Sequence, residues 1–200
     1  MKKEIWIYIE GAGKGPAANR LRTGFRAFLN PLYELAQQKG IKFHPPIMCG
    51  SGVEAYKDFQ TGLRSNNQAI NILLVDAEKP VTENSAWIHL KWDSLGLDDS
   101  HCHLMAQAME AWLVADKDAL SDFYKQGFNQ NALPQNPRVE EIPKADLFDG
   151  LRRATEKTSK WQYHKTIHAP EILKRLDVGK VRQAAPHCER LFKTLTEKMS

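Results

Sequence analysis

The chain has 200 residues, 42% of them apolar, and a formal net charge of +4, enough to bury one domain core but without an apolar run near the ~18 residues of a membrane span. Glu4 and Glu10 interrupt any signal-peptide apolar region, and Cys49, Cys102 and Cys188 are far apart with no CxxC pair. The expectation is therefore a cytoplasmic protein with buried thiols, with neither a disulfide framework nor a zinc site. Residues 1–150 hold 16 Lys and Arg against 19 Asp and Glu, whereas residues 151–200 hold 12 against 5, so the basic surplus sits in the last quarter.

In chain order, residues 5–9 form a short apolar run and read as a strand. Leu21, Phe25, Leu29 and Leu32 then share one helical face from near Asn19, with a kink or restart at Pro31 and an end at Gly40. Residues 41–44, with an extension to Met48, read as a second strand, 52–63 as a helix and 69–75 as a third strand. Strands and helices alternating this tightly imply right-handed crossovers and a mostly parallel sheet in a three-layer α/β fold. Beyond it, 79–99 is loop-like and carries Trp87 and Trp92, and residues 103–114 read as an apolar helix. Proline, glycine and asparagine make 127–143 irregular. Helices are predicted near 145–155, 169–176 and 186–198, with Pro170 and Pro186 in first turns. The predicted division is an α/β core over 1–126 and a basic, mainly helical extension over 127–200 packed on it.

In a parallel sheet, function collects at the carboxyl ends of the strands. Glu10 ends the first strand, before Gly11-Ala12-Gly13-Lys14-Gly15, and Asp76 and Glu78 follow the third, in Leu74-Val75-Asp76-Ala77-Glu78. If the backbone stays extended there, Asp76 and Glu78 point to the same side. Three carboxylates at one sheet edge repel one another, and hard oxygen ligands select Mg²⁺ or Mn²⁺ over zinc. The ordinary alternative is a set of strand-end acids solvated by loops. A nucleotide-binding loop fits badly: Lys14 is followed by Gly15-Pro16 instead of Ser or Thr, and the glycines give GxGxG where the dinucleotide fingerprint is GxGxxG.

The order of a strand ending Tyr8-Ile9-Glu10-Gly11, a helix, and a later strand closing in Asp76-Ala77-Glu78 resembles the Toprim pattern. Further segments extend the resemblance over almost the whole chain: His103-Leu104-Met105 through Met109-Glu110-Ala111-Trp112, Ile142-Pro143-Lys144-Ala145-Asp146, and His168-Ala169-Pro170-Glu171. The chain resembles a divergent Toprim-like family of bacterial defence and mobile-island proteins, formally a domain of unknown function. That family is related to Toprim nucleases of the overcoming-lysogenization-defect type. The resemblance implies a metal-dependent nuclease, an antiphage setting, DNA or RNA as substrate, and an AAA/ABC-type ATPase partner, with homo- and hetero-oligomers both open. The usual second motif is Asp-x-Asp, and here Glu78 is its second acid.

Glu110 is a further candidate metal ligand, since a carboxylate among Met105, Met109 and Trp112 is costly unless paired or metal-bound. On a helix it shares a face with His103 and Gln107; the alternative is an exposed acid on a polar stripe. Asp116 reads as a cap or surface acid. Lys144, Lys165 and His168 are candidates to neutralise transition-state charge. Trp161 and Tyr163, among Arg152, Arg153, Lys157 and Lys160, resemble a stacking surface for single strands. Arg20, Arg22 and Arg26 are candidates to grip a phosphate backbone, or belong to a solvated helix face. Two other functions stay open: a non-catalytic subunit that binds and regulates the ATPase, and a phosphate-handling enzyme using the glycine loop.

Overall fold

The computed structural model describes residues 3–200. Five parallel strands form one sheet: β1 (Glu4–Glu10), β2 (Lys42–Phe43), β3 (Ile47–Cys49), β4 (Ile70–Asp76) and β5 (Cys102–Met105). β1 pairs with both β2 and β3 along one side and with β4 along the other, and β4 pairs with β5. The register sets Ile9 opposite Leu74 and Asp76 opposite Met105, so the first and third predicted strands are neighbours that end together.

Alternation along the strands makes the layers. Ile5, Ile7, Ile9, Ile72 and Leu74 join a hydrophobic cluster with α1 (Pro16–Phe28), α2 (Asn30–Gln38) and the helices of the second half. Tyr8, Leu73 and Val75 pack on the other side against Ala55 and Phe59 of α3 (Gly52–Ser65) and Trp87 of α4 (Ala86–Leu90). The result is a Rossmann-like α/β fold with helices on both faces. Pro31 restarts the first helix as expected, and Ser51 and Glu54 close a reciprocal capping box at the start of α3. The three cysteines are buried and free. No helix among the described residues is long and apolar enough to cross a membrane.

The remaining helices are α5 (Glu110–Ala115), α6 (Lys117–Tyr124), α7 (Lys144–Thr155), α8 (Lys165–Leu173), α9 (Val178–Ala184) and α10 (Pro186–Lys198). Residues from 127–200 share the larger cluster with the first half, as in the edge-to-face contact of Phe28 with Phe192. α8 packs directly on α1. A Cβ on Gly24 would stand 2.8 Å from the carbonyl oxygen and 2.9 Å from the Cα of Pro170. Only glycine lets α8 lie that close, and α8 carries Lys165 at its first position.

Three expectations are corrected. Residues 103–114 are not one helix: His103 lies in β5, and Glu110 begins the short α5. Both faces of β5 are buried, so its apolar run lacks the alternation that would mark a strand. Pro170 lies inside α8 rather than in its first turn, whereas Pro186 does open α10. The 79–99 loop contains α4.

Candidate metal centre

Glu10, Asp76 and Glu78 offer carboxylate oxygens that all lie within 4.8 Å of one another. They do not converge by simple alternation. β4 ends at Asp76, and Glu78 turns back with φ +64° while its N–H donates to the carbonyl of Gln107 at 2.8 Å. Glu10 bridges the two strand ends, its Oε2 accepting the backbone N–H of Asp76 at 2.9 Å. Asp76 accepts the N–H of Met109 at 2.9 Å through Oδ1, which orients Oδ2 toward α8.

Glu110 joins from α5. It is fully buried, its Oε1 accepts the Tyr163 hydroxyl at 2.8 Å, and its Oε2 has no hydrogen-bond partner. Lys165 ties the inner acids together, its Nζ lying 3.1 Å from Asp76 Oδ2 and 3.7 Å from Glu110 Oε2. Lys144, at the first position of α7, donates to both oxygens of Glu78 at 2.6 and 2.7 Å.

Two ammoniums against four carboxylates leave two negative charges if every acid is ionised. A single divalent cation matches that remainder. Without one, protons take up part of the charge. Burial, helped by the charge of Asp76, pushes the Glu10 carboxyl up to about 7. Burial also raises Glu110, although Lys165 opposes it. Burial lowers the Lys165 ammonium, but Asp76 and Glu110 reverse that and leave it above the ordinary lysine range. The donor set of the trio is all oxygen, as Mg²⁺ and Mn²⁺ require, and Glu110 stands beside it across Lys165, its unbonded Oε2 3.7 Å from the ammonium. The residues fit a hard divalent ion.

Sequence reasoning missed several parts of this site. Tyr163 turns inward to Glu110 and does not serve as an exposed stacking ring. Trp92, stacked on Tyr56, walls the Glu10 side: its ring edge and Glu10 Oε2 lie 3.3 and 3.1 Å from where a Cβ on Gly52 would stand. Gln107 joins Glu78 to α7, accepting the Lys144 N–H at 3.3 Å through Oε1. The sequence singles out all three residues but gives none of them this role, which emerges only once the chain is folded.

Other candidates fall elsewhere. His168 does not reach the carboxylates: its Nδ1 accepts from the Tyr124 hydroxyl at 3.0 Å and the His164 N–H at 3.1 Å, and its ring packs against Tyr124 and Phe123. Its position four residues after His164 makes it an internal brace for the start of α8. His103 faces away from Glu110, with its Nε2 3.2 Å from the Ser100 carbonyl. Asp116 caps α6 by accepting the Ala119 N–H, and it also accepts the Asp177 N–H. In the glycine loop, the N–H groups of Gly11 and Gly13 are spent on the carbonyls of Cys49, Gly50 and Gly11, so they do not cradle a phosphate. Arg22 binds the Pro46 carbonyl and Arg26 lies over Tyr33, while Arg20 reaches the Thr166 carbonyl at the start of α8.

Compared with known families, residues 22–196 match the one described as a domain of unknown function, DUF4276. The matched span contains Asp76, Glu78, Glu110, Lys144 and Lys165 and begins after Glu10. No curated protein and no solved structure gives a match.

Proposed function

For a chain that belongs to the DUF4276 family, we propose a divalent-metal-dependent nuclease that hydrolyses phosphodiesters of DNA or RNA, with Mg²⁺ or Mn²⁺ held by Glu10, Asp76, Glu78 and Glu110. The observation that carries it is the convergence of three acids within 4.8 Å, backed by the buried Glu110 whose Oε2 lacks any hydrogen-bond partner. When bound, such an ion activates water and stabilises the charge of the phosphodiester under attack. The chain's own residues supply the rest. Asp76 and Glu10 are fixed by backbone N–H bonds, so the ligand oxygens are set before binding. Lys165 holds positive charge beside them in a mostly buried position, where it opposes the charge of a transferring phosphoryl group. Lys144 brings a second ammonium at the outer edge. By its Toprim resemblance the protein is the effector of an antiphage module and works beside an AAA/ABC-type ATPase in the cytoplasm.

The test is incubation with Mn²⁺ and mixed single- and double-stranded DNA and RNA, with and without the ATPase. Glu10→Gln and Asp76→Asn are expected to lower cleavage by about a hundredfold or more. Calorimetry that finds no Mn²⁺ binding at millimolar concentration sinks the reading.

A second reading, a non-catalytic subunit that binds and regulates the ATPase, draws on one observation. Lys144 already occupies both oxygens of Glu78, so part of the cluster is satisfied by the chain itself. Unchanged ATPase regulation by Glu10→Gln and Asp76→Asn, with no cleavage by any form, favours it.

A further inference from the structure

The turn between α7 and α8 presents one side chain unlike any other on the surface. Trp161 is 76% exposed, the most exposed of the large apolar side chains among the described residues. It sits at φ +62°, a conformation that costs a non-glycine residue energy unless its surroundings impose it. Here they do. Trp161 N–H donates to the Thr158 carbonyl at 3.1 Å, the Thr158 hydroxyl donates to the Thr155 carbonyl at 2.9 Å, and Tyr163 N–H donates to the Thr155 hydroxyl at 2.8 Å. These bonds hold the backbone of the turn, and the indole stands out from it with its large apolar surface turned to solvent.

This turn is wired to the carboxylates. Two residues after Trp161, Tyr163 donates to Glu110, and four residues after it Lys165 meets Asp76. Two residues of chain span at most about 7 Å, so the backbone of Trp161 lies within that distance of Tyr163, the residue that meets Glu110. The exposed charged side chains nearest to it in sequence are mostly basic: Lys157 and Lys160 on the turn, the latter with its Nζ 5.3 Å from the Phe123 ring centroid, and Arg152 and Arg153 at the end of α7. Glu156 is the one acid of residues 150–165. An exposed aromatic face on a basic turn suits an anionic polymer with unpaired bases, whereas in a duplex the bases are stacked within the helix and offer no free face.

We propose that Trp161 is the stacking platform for a base of single-stranded nucleic acid, with Lys157 and Lys160 holding the adjoining phosphates and leading the strand toward Asp76. The proposal rests on the nuclease reading for the meaning of the site, but its test needs no cleavage. Fluorescein-labelled 15-nucleotide dT and U oligomers and a 15-base-pair duplex are titrated in EDTA, where metal-dependent hydrolysis is silent, and followed by anisotropy. Trp161→Ala is expected to weaken single-strand binding by about tenfold or more, and Trp161→Phe to retain most of it. Doubling Lys157→Ala with Lys160→Ala is expected to flatten the slope of log affinity against log salt by about 1.4. Circular dichroism checks that the variants are folded. Equal single-strand affinity of wild type and Trp161→Ala overturns the proposal, as does duplex binding of equal strength that ignores Trp161. Trp161-dependent binding without any Mn²⁺-dependent cleavage leaves the platform standing and removes the nuclease.

Discussion

Two lysines reach the acidic cluster from the second half of the chain, and they meet it in opposite environments. Lys165 touches Asp76 and Glu110, whose side chains are 2% and 0% exposed, whereas Lys144 pairs with Glu78, whose side chain is 59% exposed. The inner pair is tied further by the Tyr163 hydroxyl and the Met109 N–H, and the outer pair has water as an alternative partner. The shorter contact is the outer one, 2.6 Å against 3.1 Å, yet length is the poorer guide to strength. Removing one partner of a buried pair leaves an uncompensated charge with nowhere to go, while an exposed pair merely returns to water. The inner half of the site is thus part of the fold, and the outer half is free to exchange partners.

The largest effect should come from Lys165→Ala. Breaking a buried ion pair typically costs about 3–5 kcal/mol, and the lower end applies here because the Lys165 side chain is itself 31% exposed. At roughly 2–4 °C per kcal/mol for a domain of this size, the melting temperature should fall by roughly 6–12 °C in calorimetry. A fall no larger than that of Lys144→Ala breaks the contrast between the two halves.

Next in size is Gly24→Ala, which touches no charge. The added methyl meets backbone atoms of Pro170 at 2.8–2.9 Å, so α8 itself has to move. An overpacking cost of about 1–3 kcal/mol is expected. Because α8 carries Lys165, Mn²⁺ affinity should change with stability, which separates this variant from an equally destabilising change remote from the site. Tyr163→Phe comes after it, at about 1–2 kcal/mol, since it leaves both Glu110 oxygens without a hydrogen bond. Stability unchanged in Tyr163→Phe shows that the fold does not depend on this hydroxyl.

The same division explains what was legible in the sequence. β1, β4 and their terminal acids could be read because a short apolar run ending in a carboxylate needs only local pattern. The meeting of Glu10 with Asp76 follows from parallel neighbours and was visible before the fold, whereas Glu78 reaches them through a φ +64° turn that extended alternation does not give. β5 was not: with every side chain buried it has neither period, and the Met and Trp residues that follow it imitate a helix. The roles of Tyr163, Gln107 and Trp92 depend on contacts across 53, 29 and 36 residues of sequence, to Glu110, Glu78 and Tyr56, and no local spacing encodes these. His168 shows the reverse error. A histidine beside lysines suggested chemistry, but its neighbours in space are Tyr124, Phe123 and the backbone of His164.

The smallest effect on the free protein, and the sharpest on the metal, is expected for Lys144→Ala. In EDTA the exposed pair contributes at most about 1 kcal/mol, so the melting temperature should move by no more than roughly 2–4 °C. In Mn²⁺ the order reverses. A cation that binds only the folded state raises stability by about 2.7 kcal/mol at one hundred times its dissociation constant, and Lys144 competes with it for both oxygens of Glu78. Deleting the ammonium releases that carboxylate, so the Mn²⁺-induced rise should be larger in Lys144→Ala than in wild type. The same titration with Glu78→Gln should show a smaller rise than wild type, because the ligand itself is lost. Equal shifts in all three proteins place the ion away from Glu78 and confine any metal to the inner acids, where Lys165 already stands.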